Sequence, residues 1–242
     1  YWDWLVSALR GDFGESYYFK LPVASLIMDR LSITMTLGAC GISFALLTAV
    51  PLGVPAAIKP TSLLDRLALF LSVAGQAMPS FWFGLILIVV FSIQLGWLPP
   101  SGTATPLHFV MPTIVLGYYA MPASMRLTRA GMLEVLSSDY IRTARAKGAP
   151  EGLVMFKHAL RNAIIPVVSL AAVQMGFMLG GSIVVESIFA LHGAGYLAWE
   201  SISRNDLPTV QALILVFSMF YIVFTFLADV LNAWLDPRMR AG

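Results

Sequence analysis

The sequence predicts an all-α fold, a polytopic bundle of helices that cross a membrane. Three observations carry this. Of 242 residues, 58% are hydrophobic and only 12% are charged, where soluble domains average about 25% charged. Several long stretches contain no Asp, Glu, Lys or Arg, and one span needs about 20 apolar residues. These stretches are continuously apolar, whereas barrel strands alternate over about ten residues, so helices are preferred. The composition excludes an ordinary water-soluble enzyme, a disordered chain and a disulfide scaffold. The net charge of only +2 also argues against a nucleic-acid binder.

The elements follow in chain order. Residues 1–30 form a segment with Trp2 and Trp4 near its start and no signal-peptide pattern. The chain starts at Tyr1 rather than Met, and a further helix is expected ahead of it. Residues 31–58 are free of charge and hold a first span, about 33–58. Residues 67–125 are also free of charge and too long for one span. They divide at LGWLPPSGTATP, 95–106, where Pro99, Pro100 and Gly102 mark a turn. This gives spans at about 68–95 and 108–130. The runs 162–185 and 207–228 give the last two, about 163–185 and 208–235. The transmembrane domain is therefore 31–235, with a tail at 236–242.

Lys and Arg orient the bundle. Eleven basic residues fall on the side of 59–66, 126–161 and the tail, against four on the other. That excess places 126–161 and the C-terminus in the cytoplasm and residues 1–30 outside. Trp2, Trp4, Trp97 and Trp199 then sit near outer span ends, as an interfacial belt would have them. Pro51, Pro55, Pro79, Pro112, Pro122 and Pro166 interrupt spans, and Gly176, Gly180 and Gly181 allow close helix contact. Both suit a bundle that moves.

Catalytic and cofactor signatures are missing from the sequence. It has no GxxxxGK[ST] loop, no HExxH and no GxSxG. His108, His158 and His192 are far apart, and Cys40 is the single cysteine, read as a small core residue. Asp229 is the one formal charge deep in an expected span, and its reading is structural or interfacial rather than a proton relay.

The stretch LEVLSSDYIRTARAKGAPEGLVMFKHALRNAIIP, 133–166, carries most of the information. Leu133, Leu136, Tyr140 and Ala144 recur on one helical face. Gly148 can end that helix, and Pro150 restricts Ala149. A second helix then starts near Pro150, with Leu153, Phe156 and Leu160 as its apolar face. The expectation is a helix, a sharp turn and a helix, 131–162, protruding into the cytoplasm. Thr143, Ala144, Ala146, Gly148 and Ala149 make a small-residue apex flanked by Arg142, Arg145 and Lys147.

The block DYIRTARAKG followed by KHALRNAIIPV resembles the cytoplasmic signature of permease subunits of binding-protein-dependent ABC importers. It is most similar to the dipeptide/oligopeptide/nickel branch and, within it, to the first permease of the dipeptide-type pair. LRGDFGES, MPSFWFGL at 78–85, LGWLPPSG at 95–102, VVESIFALHGAGYLAWESISRNDLPTVQ at 184–211 and the terminal DPRMR at 236–240 extend the resemblance over nearly the whole chain. Arg142, Thr143 and Ala144 occupy the family's EAA triplet and Gly148 its glycine, so the acidic first residue is missing.

The resemblance implies a type I importer permease with about six spans in the inner membrane. It implies a second homologous permease, two ATPase subunits carrying ATP and Mg, and an extracytoplasmic solute-binding protein as partners. No cofactor is expected in this chain, no metal, and no catalytic residue. The implied cargo is a di- or oligopeptide, and the bundle would open alternately to either side. Tyr140, Arg142, Thr143, Ala144, Arg145, Ala146, Lys147 and Gly148 become the candidate ATPase-coupling residues. Gln76, Ser80, Trp82, Gln174 and Glu186 are candidates for the translocation path, with helix packing as the competing reading for each. The outer segment 186–207, with Gly193, Gly195, Trp199 and Arg204, is a candidate docking surface or gate. Three other readings compete: an ion-gradient-driven secondary transporter, which should show midplane charges and paired halves, an intramembrane enzyme, and a scaffold subunit.

Overall fold

A computed structural model describes residues 2–235, and among them the secondary structure is helical, apart from an isolated bridge between Glu15 and Pro22. The helices in chain order are α1 (Trp2–Leu9), α2 (Val23–Ile58), α3 (Leu63–Ala77), α4 (Ser80–Gln94), α5 (Val110–Leu136), α6 (Asp139–Ala146), α7 (Glu151–Ala163), α8 (Ile165–Ile188), α9 (Ala194–Ser203) and α10 (Leu207–Leu235). A 3₁₀ turn at Pro106–Phe109 leads into α5. The expected tail 236–242, with DPRMR, lies outside the described residues.

Three span boundaries differ from the expectation. First, α2 starts at Val23 and not near 33, so part of the outer segment 1–30 is helical. The Pro22 carbonyl accepts the Leu26 amide and the Ser25 hydroxyl, which sets the helix start there. Asp29 and Arg30 simply extend the helix beyond its charge-free part, with Arg30 placed 3.6 Å from Glu200.

Second, the expected span 68–95 is broken. Met78 is extended (φ −85°, ψ 126°) because the following Pro79 excludes helical geometry, so α3 ends and α4 begins anew. Each piece is 15 residues long or built to that length, short of a full crossing by itself. Third, a 47° bend at Ile164 separates α7 from α8. Pro166 has no amide to bond the Asn162 carbonyl, which frees the backbone to turn there. Among the described residues, α2 and α10 are long and apolar enough to cross a membrane singly, and α7–α8 is a third if taken as one bent span. Within the expected span 108–130, α5 carries Arg126 and Arg129.

The chain divides into two compact units. The first comprises Tyr1–Gly41, Pro79–Leu116 and Met175–Val223. Its core joins Val23, Leu26 and Ile27 of α2 to Ala194, Leu197 and Ala198 of α9 and to Ala212 and Leu213 of α10. Gly176 lets α8 approach Tyr221, where a Cβ would stand 2.8 Å from the ring, while Gly180 faces open space. Of the expected small-residue pair, only Gly176 makes a close approach. The turn 95–106 forms as expected, and Gly102 donates to the Phe189 carbonyl at 3.0 Å.

The second unit comprises Ile42–Met78, Gly117–Gln174 and Phe224–Gly242. Gly53 admits α5 so closely that a Cβ there would sit 2.9 Å from the Met125 carbonyl. A core of Val54, Ala57, Met132, Ile141, Val154, Ala159 and Ala163 ties α2, α5, α6 and α7 together. This core positions the segment that the sequence singled out.

Candidate functional site: a helix-turn-helix arm

The arm begins where α5 stops. Ser137 and Ser138 turn their hydroxyls back onto the carbonyls of Glu134 and Val135. Such local bonds compete with the helix ladder, and Ser138 is extended (φ −73°, ψ 153°). The single expected helix through Leu133, Leu136, Tyr140 and Ala144 is therefore two helices. Asp139 opens α6, where its charge suits the helix N-terminus.

On α6, Ile141 is fully buried and Ala144 half-buried against the core. Tyr140, Arg142, Thr143, Arg145, Ala146, Lys147 and Gly148 are exposed. Thus seven of the eight coupling candidates share an accessible surface, and Ala144 instead helps to anchor it. Tyr140 was placed on the apolar face by its spacing, but its ring lies outside the core. Its hydroxyl donates to the His158 carbonyl at 3.5 Å and accepts from the Asn162 amide at 2.8 Å, linking α6 to α7.

The turn is a Schellman motif. Gly148 N–H donates to the Arg145 carbonyl (2.9 Å) and Ala149 N–H to the Ala144 carbonyl (3.2 Å). Gly148 carries φ +78°, a left-handed conformation that costs any other residue. Arg145 forks onto Glu151 at 2.9 and 3.4 Å and closes the turn from outside. Beyond Pro150, a stretch of π-helix at Val154–Ala159 shifts the register of α7. Val154 and Ala159 are buried, and of the expected face Leu160 packs against the core. Leu153 and Phe156 point outward, Phe156 being 69% exposed.

The translocation candidates are distributed over both units. In the second, Gln76 is exposed and accepts from Arg126 Nη1 at 3.3 Å. Gln174 is half-buried, accepting from the Ser124 hydroxyl and donating to the Ala120 carbonyl, each at 3.2 Å. In the first, Ser80 is half-buried and Trp82 is 48% exposed.

Glu186, the fifth candidate, is enclosed. It has 0% exposure and lines no open surface in its unit. Its carboxylate accepts from Thr34 Oγ1 (2.8 Å), Ser182 Oγ (2.9 Å) and Tyr196 N–H (2.8 Å), which is in the first turn of α9. Gly193 and Gly195 pack against it, and a Cβ at Gly193 would meet Oε2 at 2.6 Å. Glu186 is a structural clamp, and the segment 186–207 is fastened through it.

Sequence reading missed two further groups. Asp206 is fully buried and holds the Ser16 hydroxyl (2.6 Å), the Tyr17 amide (2.8 Å) and the Thr209 hydroxyl (2.7 Å). Asp65, three residues ahead of the expected second span, receives Arg129 Nε and Nη2 at 2.7 and 2.9 Å and the Thr61 amide at 2.9 Å. Those hydrogen bonds, from Arg129 first, hold the Asp65 carboxyl below the ordinary carboxylate range. Partners 64 positions apart, as Arg129 and Asp65 are, leave no local pattern to read.

Comparison with known proteins places the arm in context. Residues 49–241 match the family described as "Binding-protein-dependent transport system inner membrane component". The chain belongs to this family. It is 41% identical over 240 residues to the glutathione transport system permease protein GsiC of Pectobacterium atrosepticum, covering 99% of this chain and 78% of the relative. It is 42% identical over the same length to GsiC of Escherichia coli K12, with the same coverage. The resemblance drawn from DYIRTARAKG and its companion blocks is borne out.

Solved structures agree on the fold. The MetNI methionine ABC transporter in an inward-facing conformation aligns with a TM-score of 0.70 at 18% identity, covering 87% of this chain and 96% of that one. An amino acid ABC transporter crystallised with histidines aligns at 0.65 and 16%, covering 86% and 94%. The chain is thus an importer permease of helical type I architecture, an inner-membrane component rather than an enzyme.

Proposed function

We propose that this permease imports a peptide-like solute and that 139–163 is the handle by which separate ATPase subunits drive it. One observation carries the reading: the arm is packed through Ile141, Val154, Ala159 and Ala163 into a buried core shared with α2 and α5, while its outer face is polar, basic and bare. A rigid body with an unpartnered face suits a lever. Leu153 and Phe156 add two exposed apolar residues to an arm that also carries Arg142, Arg145 and Lys147, a mixture typical of the buried centre and rim of a protein interface.

ATP-driven closure of the motor would displace the arm as a unit. A partner shifts two bundle states only through contacts that differ between them, and a nucleotide-dependent grip supplies that difference. Alternating access follows, with cargo delivered by an extracytoplasmic binding protein and a second permease completing the path. ATP and Mg belong to the motor subunits. The GsiC relatives, named for glutathione transport, support a peptide-like cargo.

The test uses the assembled transporter in proteoliposomes. Ala146→Trp and Lys147→Glu alter exposed apex positions without touching the arm's core. Both variants should stay in the membrane, with uptake lost and ATP hydrolysis no longer stimulated by loaded binding protein. Wild-type uptake and stimulation in both would reject the lever. Uptake that continues without ATP would instead favour an ion-driven carrier.

A further inference from the structure

Arg126 and Arg129 lie one turn apart on α5, and α3 treats them differently. Arg129 is neutralised by the Asp65 fork. Arg126 is bound through Nη1 alone, to Ser72 Oγ at 2.7 Å and Gln76 Oε1 at 3.3 Å, both neutral. Among the described residues no carboxylate pairs with it. It is exposed, so the rest of its guanidinium fork, Nε and Nη2, is left to a partner from outside the chain.

The direction of the side chain matters. Along α3, Ser72 and Gln76 lie about 10 and 16 Å beyond Asp65, at about 1.5 Å per residue. Ser72 and Gln76 fall inside the expected span 68–95, and Arg126 lies near the end of the expected span 108–130, where the basic segment 126–161 begins. A lipid-facing arginine snorkels toward the interface. Here Arg126 reaches the other way, away from the level of Arg129 and Asp65, and two polar groups brace it there. An uncompensated charge at such a position faces a hydrated pathway or a polar partner rather than acyl chains.

We propose that Arg126, braced by Ser72 and Gln76, is an anion subsite for the carboxylate of the translocated solute. The inference rests on the import reading above and names the chemical class of its cargo. A guanidinium presents a planar fork that matches a carboxylate, and neutral bracing leaves its charge undiminished for that ligand. Arg129, already paired, makes the internal control.

The experiment uses the wild-type transporter in native membranes. Phenylglyoxal modification of Arg126 is followed by peptide mass spectrometry, with dialanine and its C-terminal amide as probes. Dialanine at ten times its dissociation constant should slow modification about tenfold, as for any single site, and the amide should not. Equal protection by both probes, or by neither, overturns the subsite. So does a residue that reacts only after delipidation, which would assign it to a phosphate headgroup. Reaction only after removal of the second permease would assign it to a partner's carboxylate and equally overturn the proposal. ATP-dependent dialanine uptake is measured on the same membranes. Uptake with Arg126 unprotected rejects the subsite and keeps the import reading; protection without uptake does the reverse. Arg126→Lys should retain dialanine uptake far better than Arg126→Gln.

Discussion

Replacing Glu186 by Ala should destabilise the permease by about 3 kcal/mol. The figure follows from what each donor loses. The Tyr196 amide lies in the first turn of α9, where no helical carbonyl can receive it, so it is orphaned in the interior. A buried unsatisfied donor costs about 1–3 kcal/mol. Thr34 loses its acceptor, at about 1 kcal/mol for one hydrogen bond. Ser182 keeps the Leu179 carbonyl at 2.9 Å and loses little. For a chain of this size about 3 kcal/mol corresponds to about 9 °C in Tm. Glu186→Gln should cost roughly half as much, since it retains one acceptor oxygen but sets an amide nitrogen against the backbone of α9. Thermal unfolding of the purified complex in detergent measures both. In a double-mutant cycle with Thr34→Val the two losses should be non-additive, because the residues share one bond. An Ala variant that melts within about 0.5 kcal/mol of wild type, the range of an ordinary surface change, would refute the clamp.

Three further outcomes follow. Gly148→Val should cost about 1–2 kcal/mol through its left-handed φ alone, since a Cβ there meets nothing within 4 Å; faster proteolytic cleavage at 147–150 would register it. Acidification should destabilise the second unit through Asp65. Its depressed value means that the contribution is complete above the ordinary carboxylate range and lost as pH falls through the folded value; Asp65→Asn should flatten that acid limb in melting experiments. Tyr140→Phe should cost about 1 kcal/mol and speed hydrogen exchange in 158–162, because both bonds at its hydroxyl disappear.

Much of the fold could be read from charge-free runs and punctuation. The turn at 95–106 and the stop at Gly148 were legible because glycine and proline impose local geometry whatever surrounds them. The family signature identified the arm for the same reason: its blocks are contiguous. Other features failed for identifiable reasons. The break at Met78–Pro79 hides inside an uninterrupted apolar run, where hydropathy outweighs one backbone restriction. Ser137 and Ser138 end α5 by bonding its last carbonyls, although the apolar spacing continues past them. The π-helical stretch in α7 moves Val154 inward and Phe156 outward, which a fixed 3.6-residue period cannot anticipate. From sequence, Glu186 is only a polar residue at the end of a span, open to helix packing or to the pathway. Only the fold reveals that Thr34, 152 positions earlier, is waiting for it.

That separation has a consequence for biogenesis. At about 5–20 residues per second, the ribosome needs roughly 8–30 s to proceed from Thr34 to its acceptor. Throughout that interval the part of α2 that carries Thr34 is unfastened, and the acid that will secure it has yet to be made. That part can lock only after Glu186 has been made. A chain that stops short of Glu186 lacks this fastening altogether and should be digested faster by membrane proteases than one that contains it.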